Sequence, residues 1–366
     1  MTHPPSLQNV GTRSIGACDT LSAPRTMRPA IPDTRACRPD LDFHVFGLSG
    51  ERLAPDRRLS LVTIDFEAFD ASTSAVWVHA MRCWAQASRA AQIQSCFFVA
   101  LEDVAALRWT SPERYRAFVA AVRDLSDAGC DFYPHNHGVF DPETGAVPER
   151  SAGRPQHIAG YRKRASFFFD VVRLNGLDLA EWLTILTSEY ERFLADAGLA
   201  RPKRRVFRPG GWDNGSTAEE LSAYVWSLRD VGYDYDSSAT SGDFGTASWR
   251  VGTAFAENVF RLDGNLVEVA PTSFANCAAP ILSRETLSSL LRMAPQTRLI
   301  RRSASGVSVL VLHFDHLLAH RAATYDRFSL PSATLVERRI QSVFRRLAFV
   351  HCVLRLTSAT FDGLGL

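Results

Sequence analysis

Several short, β-rich apolar runs in this chain stop at residues that hold protons or metal ions, and helical segments lie between them. Residues 59–66 read LSLVTIDF and deliver Asp65, with Glu67 two positions later. Residues 94–99 form a second run, residues 131–134 lead into His135-Asn136-His137, and the β-branched stretch 307–312 stops at His313. Runs this apolar suit strands covered on both faces, the situation of a parallel sheet. Residues 75–91, 112–128 and 177–198 repeat apolar side chains at helical spacing, with Pro112 in a first turn and Gly129 and Gly198 as stops. Residues 205–212, 233–238 and 265–269 supply further strand ends, and 216–230 another helix. Strand and helix alternate throughout, so the chain is expected to be α/β with a parallel sheet, open or closed into a barrel.

Composition narrows function mainly by exclusion. The 366 residues carry 41 basic and 39 acidic side chains, a formal net charge of +2, which has neither a nucleic-acid footprint nor an acidic tail. The seven cysteines are scattered, with no C-x-x-C spacing, which favours a reducing compartment, and the first forty residues lack the apolar core of a secretory signal. These two observations predict a cytoplasmic protein. Residues 1–42 are read as a disordered leader and 43–366 as one domain ending in a helix. No stretch is long and apolar enough for a transmembrane span, so membrane contact could only be peripheral, through the amphipathic segment 333–349; docking of that face onto the sheet is the expected use.

The chemistry rests on paired spacings. Asp65 and Glu67 are two apart, so an extended chain points both carboxylates to one side. His135 and His137 repeat that spacing and form a compact pair of imidazole ligands for zinc or a similar ion. Either pair alone is ordinary: an Asp-x-Glu is usually solvated and an H-x-H is usually a polar loop. Their position after apolar strands separates them from that background, because parallel α/β folds build their sites at the carboxyl ends of strands. His313 ends a third such run, with Asp315 and His316 after it. The arginine clusters at 161–164, 201–205 and 298–302 are read as solvated faces before phosphate sites, and Cys130 and Cys277 as buried thiols.

The order Thr63-Ile64-Asp65-Phe66-Glu67, Cys96-Phe97-Phe98, the histidine pair, Arg208-Pro209-Gly210-Gly211 and Leu312-His313 resembles the polysaccharide deacetylase superfamily, which includes the family 4 carbohydrate esterases. The resemblance spans residues 57–318. It implies a single-domain irregular (β/α)7-type barrel with Asp65 as catalytic base, Glu67, His135 and His137 as ligands of one divalent ion, zinc in the first instance, and His313 as the acid. It further implies Arg208 as the residue orienting the base, with Gly210, Gly211 and Trp212 on the substrate side. The acidic pair is spaced by Phe66 where the family usually has adjacent aspartates, and H-x-H replaces the commoner H-x-x-x-H. Divergent members acting on lipid-linked or O-antigen-type sugars share this variant. Asp70 stays a rival to Glu67, and His316 to His313.

These readings converge on a metal-dependent hydrolase that removes an N-acyl group, acetyl above all, from an amino sugar of an envelope glycan or its nucleotide- or lipid-linked precursor. A small-molecule amidase on the same scaffold, a sugar-binding descendant without catalysis and an acyl-transferring one are the alternatives.

Overall fold

The computed structural model describes residues 51–52, 58–67, 74–143, 146, 154–158, 161–165, 168, 172, 176–212, 214, 218–238, 259–261, 265–271, 273–274, 306–314 and 332–364. The expected leader therefore lies outside the described residues, as do Asp70, Cys277, Asp315 and His316. Residues 37–366 make one compact unit.

Its strands are β1 (Glu51–Arg52), β2 (Leu59–Phe66), β3 (Cys96–Ala100), β4 (Asp131–Asn136), β5 (Arg154–Ile158), β6 (Tyr161–Ala165), β7 (Val206–Pro209), β8 (Tyr235–Asp236), β9 (Val259–Arg261), β10 (Val267–Val269), β11 (Ser273–Phe274), β12 (Val307–His313) and β13 (Thr357–Ser358). The helices are α1 (Ser74–Ala91), α2 (Leu101–Thr110), α3 (Pro112–Ser126), α4 (Leu179–Ala197), α5 (Ala218–Val231) and α6 (Ala333–Leu354). Strand order is β1-β9-β10-β8-β7-β4-β3-β2-β12-β11, with β13 also on β2. From β10 to β11 every pairing is parallel, and the antiparallel pairings of β9 with β10 and β1 extend one end.

One face of this sheet builds a single inner cluster. Leu59, Leu61, Phe98, Tyr133, Val206, Tyr235, Val259, Val267, Val307 and Val309, drawn from eight strands, pack together with Phe361. Side chains from strands so far apart in the order can meet only if the sheet curls around them, which makes the architecture an irregular (β/α) barrel. Phe361 plugs its floor, with ring centroids 5.2 Å from Tyr133 and 5.8 Å from both Phe98 and Tyr235. The outward side chains Val62, Ile64, Phe66, Phe97, Val99 and Phe132 join the helices in the larger outer core.

Helix α6 settles its own role by packing. Val336, Ile340, Val343, Phe344 and Leu347 are buried on the outer core, and Phe344 meets Trp84 of α1 edge-on at 4.7 Å. The amphipathic face is therefore spent on the barrel, and among the described residues no helix is long and apolar enough to cross a membrane.

Two elements differ from the sequence reading. A separate helix, α2, precedes α3; Ser111, the residue before Pro112, has φ −152° and ψ 75°, outside helical space, as the proline ring demands of its predecessor. Residues 154–158 and 161–165, for which the sequence suggests no strand, pair as the antiparallel ribbon β5–β6, which has no apolar alternation to announce it.

Candidate functional site

Along each central strand, the inward residues change character from apolar at the amino end to polar at the carboxyl end. On β2, Leu59 and Leu61 belong to the inner cluster, and the same alternation brings Thr63 and Asp65 inward with Glu67 just beyond. On β4, Tyr133 is followed by His135 and His137; on β7, Val206 by Arg208; on β8, Tyr235 by Ser237; on β12, Val307 and Val309 by His313. Strand register then aligns these residues: His313 pairs with Asp65, and Ala100 with His135, which pairs with Arg208. The sheet thus gathers one polar mouth above an apolar floor.

Arg208 is wholly buried, and its guanidinium donates to four acceptors. Nη1 donates to Asp65 Oδ1 at 2.6 Å, Nη2 to Thr63 Oγ1 at 3.1 Å and to Ser237 Oγ at 2.9 Å, and Nε to the Ser237 carbonyl at 3.3 Å. Its carbon centre lies 3.9 Å over the Phe98 ring, a cation–π contact sheltered from water. Burial opposes ionisation of Asp65, but Arg208, His135 and His313 outweigh it and hold the carboxyl below its usual range, against the charge of Glu67. Asp65 is accordingly an anion fixed in one orientation.

Glu67, His135 and His137 each offer one ligand atom, and these atoms all lie within 4.8 Å of one another. The tautomer of His135 follows from its partner: Nδ1 is 2.8 Å from the Arg208 carbonyl oxygen, which can only accept, so Nδ1 carries the hydrogen. Whenever the ring is neutral, its Nε2 lone pair faces His137 Nε2, 3.1 Å away, and Glu67 Oε2, 3.5 Å away. His137 Nε2 also contacts Glu67 Oε2 directly. Electron-rich atoms turned on one another need a proton or a cation between them, and this N,N,O donor set suits zinc. Burial works against the His135 cation, yet Glu67, Asp65 and Glu102 together raise its pKa. His313, the more open member, places Nδ1 3.0 Å from Glu67 Oε1 and Nε2 3.7 Å from Asp65 Oδ2.

Local backbone explains how the histidine end is shaped. The one-turn segment Gly210–Trp212 follows β7, and a side-chain carbon at Gly210 would sit 2.4 Å from His137 Cγ and 2.6 Å from its Cα. Gly210, read from sequence as lining the substrate groove, thus allows the β7 turn to close against a histidine. Gly211 has φ 68°, in the left-handed region. The side chain of Trp212 is outside what is described.

Sequence reasoning passed over Thr63, Ser237, Glu102 and Asn136. The first two are inward positions on strands already recognised, so strict alternation could have found them; Glu102 lies on the unforeseen helix α2. Of the arginine clusters, the one at 161–164 lies on β6, its side chains outside what is described, and the one at 201–205 is described with its side chains. It precedes β7, at the end opposite Arg208, and is tied up locally: Arg201 and Arg205 with Glu191, and Arg204 with Asp234 at 3.4 Å.

No family model matches the chain, and no curated protein matches it. Among solved structures it is similar to a family 4 carbohydrate esterase from Streptomyces lividans in complex with acetate, at 13% identity over 84% of this chain and 94% of that one, with a TM-score of 0.38. It is also similar to the Xyl-CE4 domain of a multidomain xylanase from the hindgut metagenome of Trinervitermes trinervoides, at 9% identity over 84% of this chain and 90% of that one, with a TM-score of 0.35. Both scores lie below 0.5, so the fold stands on its strand order and the site on its own geometry.

Proposed function

We propose that this chain is a metal-dependent amide hydrolase that removes an N-acyl group, in the first instance acetyl, from an amino sugar of an envelope glycan or its nucleotide- or lipid-linked precursor. The observation that carries the hydrolytic reading is the convergence of Glu67, His135 and His137 beside an aspartate that a buried arginine keeps ionised. The sugar is taken from the motif resemblance.

Glu67, His135 and His137 would hold the ion, which supplies Lewis-acid polarisation of the acyl carbonyl and brings the pKa of water to about 7. Asp65 accepts the proton of the attacking water; its carboxylate is ionised and oriented by Arg208, so no conformational search precedes transfer. His313 stands 3.7 Å from Asp65 on the more open side and delivers a proton to the departing amine, which would otherwise return to the carbonyl. Thr63 and Ser237 act through Arg208 and hold the guanidinium against Asp65.

The test combines metal analysis of the purified protein with acetate or formate release from a panel of N-acylated amino sugars. One equivalent of zinc or a related ion, release by the wild type, and loss of both in His135→Ala are expected. A wild type without metal whose sugar binding is untouched by His135→Ala would replace the hydrolase with a non-catalytic sugar binder. Release confined to small amides would keep the chemistry and discard the glycan.

A further inference from the structure

We infer that Glu102 is a positioning residue for the metal centre, acting as the acceptor terminus of a one-way hydrogen-bond relay that fixes the His135–His137 segment; the inference rests on the metal-holding reading above. Glu102 lies in the first turn of α2, two residues beyond Ala100, and Ala100 pairs in register with His135. The parallel pairing therefore sets the first turn of α2 beside the segment that follows His135. Its carboxylate takes one bond from the backbone and one from a side chain of that segment: Oε1 accepts from the His137 N–H at 3.0 Å, and Oε2 from Asn136 Nδ2 at 2.8 Å. Asn136, fully buried, accepts in turn from Trp182 Nε1 of α4 at 3.3 Å.

The polarity of this relay makes the acid specific. Indole and backbone N–H groups can only donate, so Trp182 fixes the amide of Asn136 with its oxygen toward the indole and its NH2 toward Glu102. Position 102 then faces two donors and must accept from both. A carboxylate does so; a carboxamide cannot, because whichever way it turns, its NH2 meets a donor. The relay grips the peptide between the two histidines, whereas Gly210 closes on the His137 ring. Partners of this kind around metal ligands typically contribute about 10- to 100-fold in metal affinity.

The experiment measures zinc affinity of the full chain by competition with a chromophoric chelator, alongside melting of the metal-free protein. Glu102→Gln is expected to weaken zinc binding by about 10- to 100-fold while the metal-free protein stays folded. Adding Trp182→Phe should recover part of that loss, because without the indole donor Asn136 can turn its oxygen to the new carboxamide; a packing role for Glu102 predicts no recovery. Wild-type affinity in Glu102→Gln, or a double variant no tighter than the single one, would overturn the relay. Should Glu102→Gln not fold, Glu102→Asp takes its place: it keeps an acceptor-only head, and it must weaken zinc binding without any recovery on adding Trp182→Phe. A wild type that binds no zinc removes the metal reading and the relay together, whereas a wild type whose affinity falls in His135→Ala but not in Glu102→Gln removes the relay alone.

Discussion

Asp65 and Asp236 are both enclosed carboxyls on one sheet, at 3% and 0% exposure, the first turned into the barrel and the second out toward α5. Each has a glutamate close by, Glu67 two residues on and Glu268 opposite in register. Their acidities nevertheless move in opposite directions. Asp65 is held below its ordinary range, because Arg208, His135 and His313 overcome its desolvation. Among the described residues the partners of Asp236 besides Glu268 are neutral: Tyr224 Oη donates to Oδ1 at 2.9 Å and Ser238 to Oδ2, while burial dominates and lifts its pKa to about 6. Burial is common to both, so the fixed cation is what separates a permanently charged group from one that takes up a proton within the physiological range.

The comparison is tested first by making the same substitution at both positions. Asp65→Asn removes the proposed base and is expected to lower kcat by about 10²- to 10⁴-fold, measured as acyl release at saturating substrate. It also leaves Arg208 buried without its anion, so unfolding in urea should move to lower denaturant. If Asp65→Asn retains activity, Asp65 is not the base.

Arg208→Met approaches the pair from the other side. With the cation gone, Asp65 becomes a second Asp236, and the fold should lose about 3–5 kcal/mol, the usual result of breaking a buried ion pair by removing one partner. Equilibrium denaturation reads this directly; a loss under ~1 kcal/mol would mean that the pair is worth no more than an exposed one.

The smallest effect is expected at Asp236 and has the opposite sign. The unfolded carboxyl titrates near about 4, and the native one near about 6, so the native state holds the proton more tightly. The stability this contributes is complete below the unfolded pKa and is lost as pH rises through about 6. The Tyr224 and Ser238 hydroxyls, unlike an indole or backbone N–H, can turn to accept from a carboxamide, so Asp236→Asn should flatten the fall in stability between acid and neutral pH and leave the protein more stable than wild type above pH 7, by about 3 kcal/mol at most. Denaturation curves at several pH values decide it; an unchanged slope would assign the pH dependence to other groups.

Some of this was legible without coordinates. The runs ending at Asp65, His135 and His313 could be placed as buried parallel strands because covering both faces leaves a continuous apolar signature, and α1, α3 and α4 because their stripes repeat with helical period and end at Gly or polar stops. Helix α2 could not, since its apolar residues are spread around it and no glycine parts it from α3. The β5–β6 ribbon was hidden for a similar reason: its sequence is mostly polar and its few apolar residues do not alternate. Asp236 and Glu268 were present in recognised strands, but nothing in their spelling says which face they take.

What the amino-acid order determined is the arrangement along each strand: alternation puts Asp65 with Glu67, and His135 with His137, on one face, and apolar residues before them make the floor. Which strands are neighbours, and hence that Arg208 meets Asp65, that Glu102 meets the histidine segment, and that Asp236 meets no cation among the described residues, was decided by the tertiary structure. Alternation acts within a few residues of chain, whereas the charge that sets an acid's pKa comes from whatever packing brings within a few ångströms; Arg208 stands 143 residues from Asp65 in sequence and 2.6 Å from it in space.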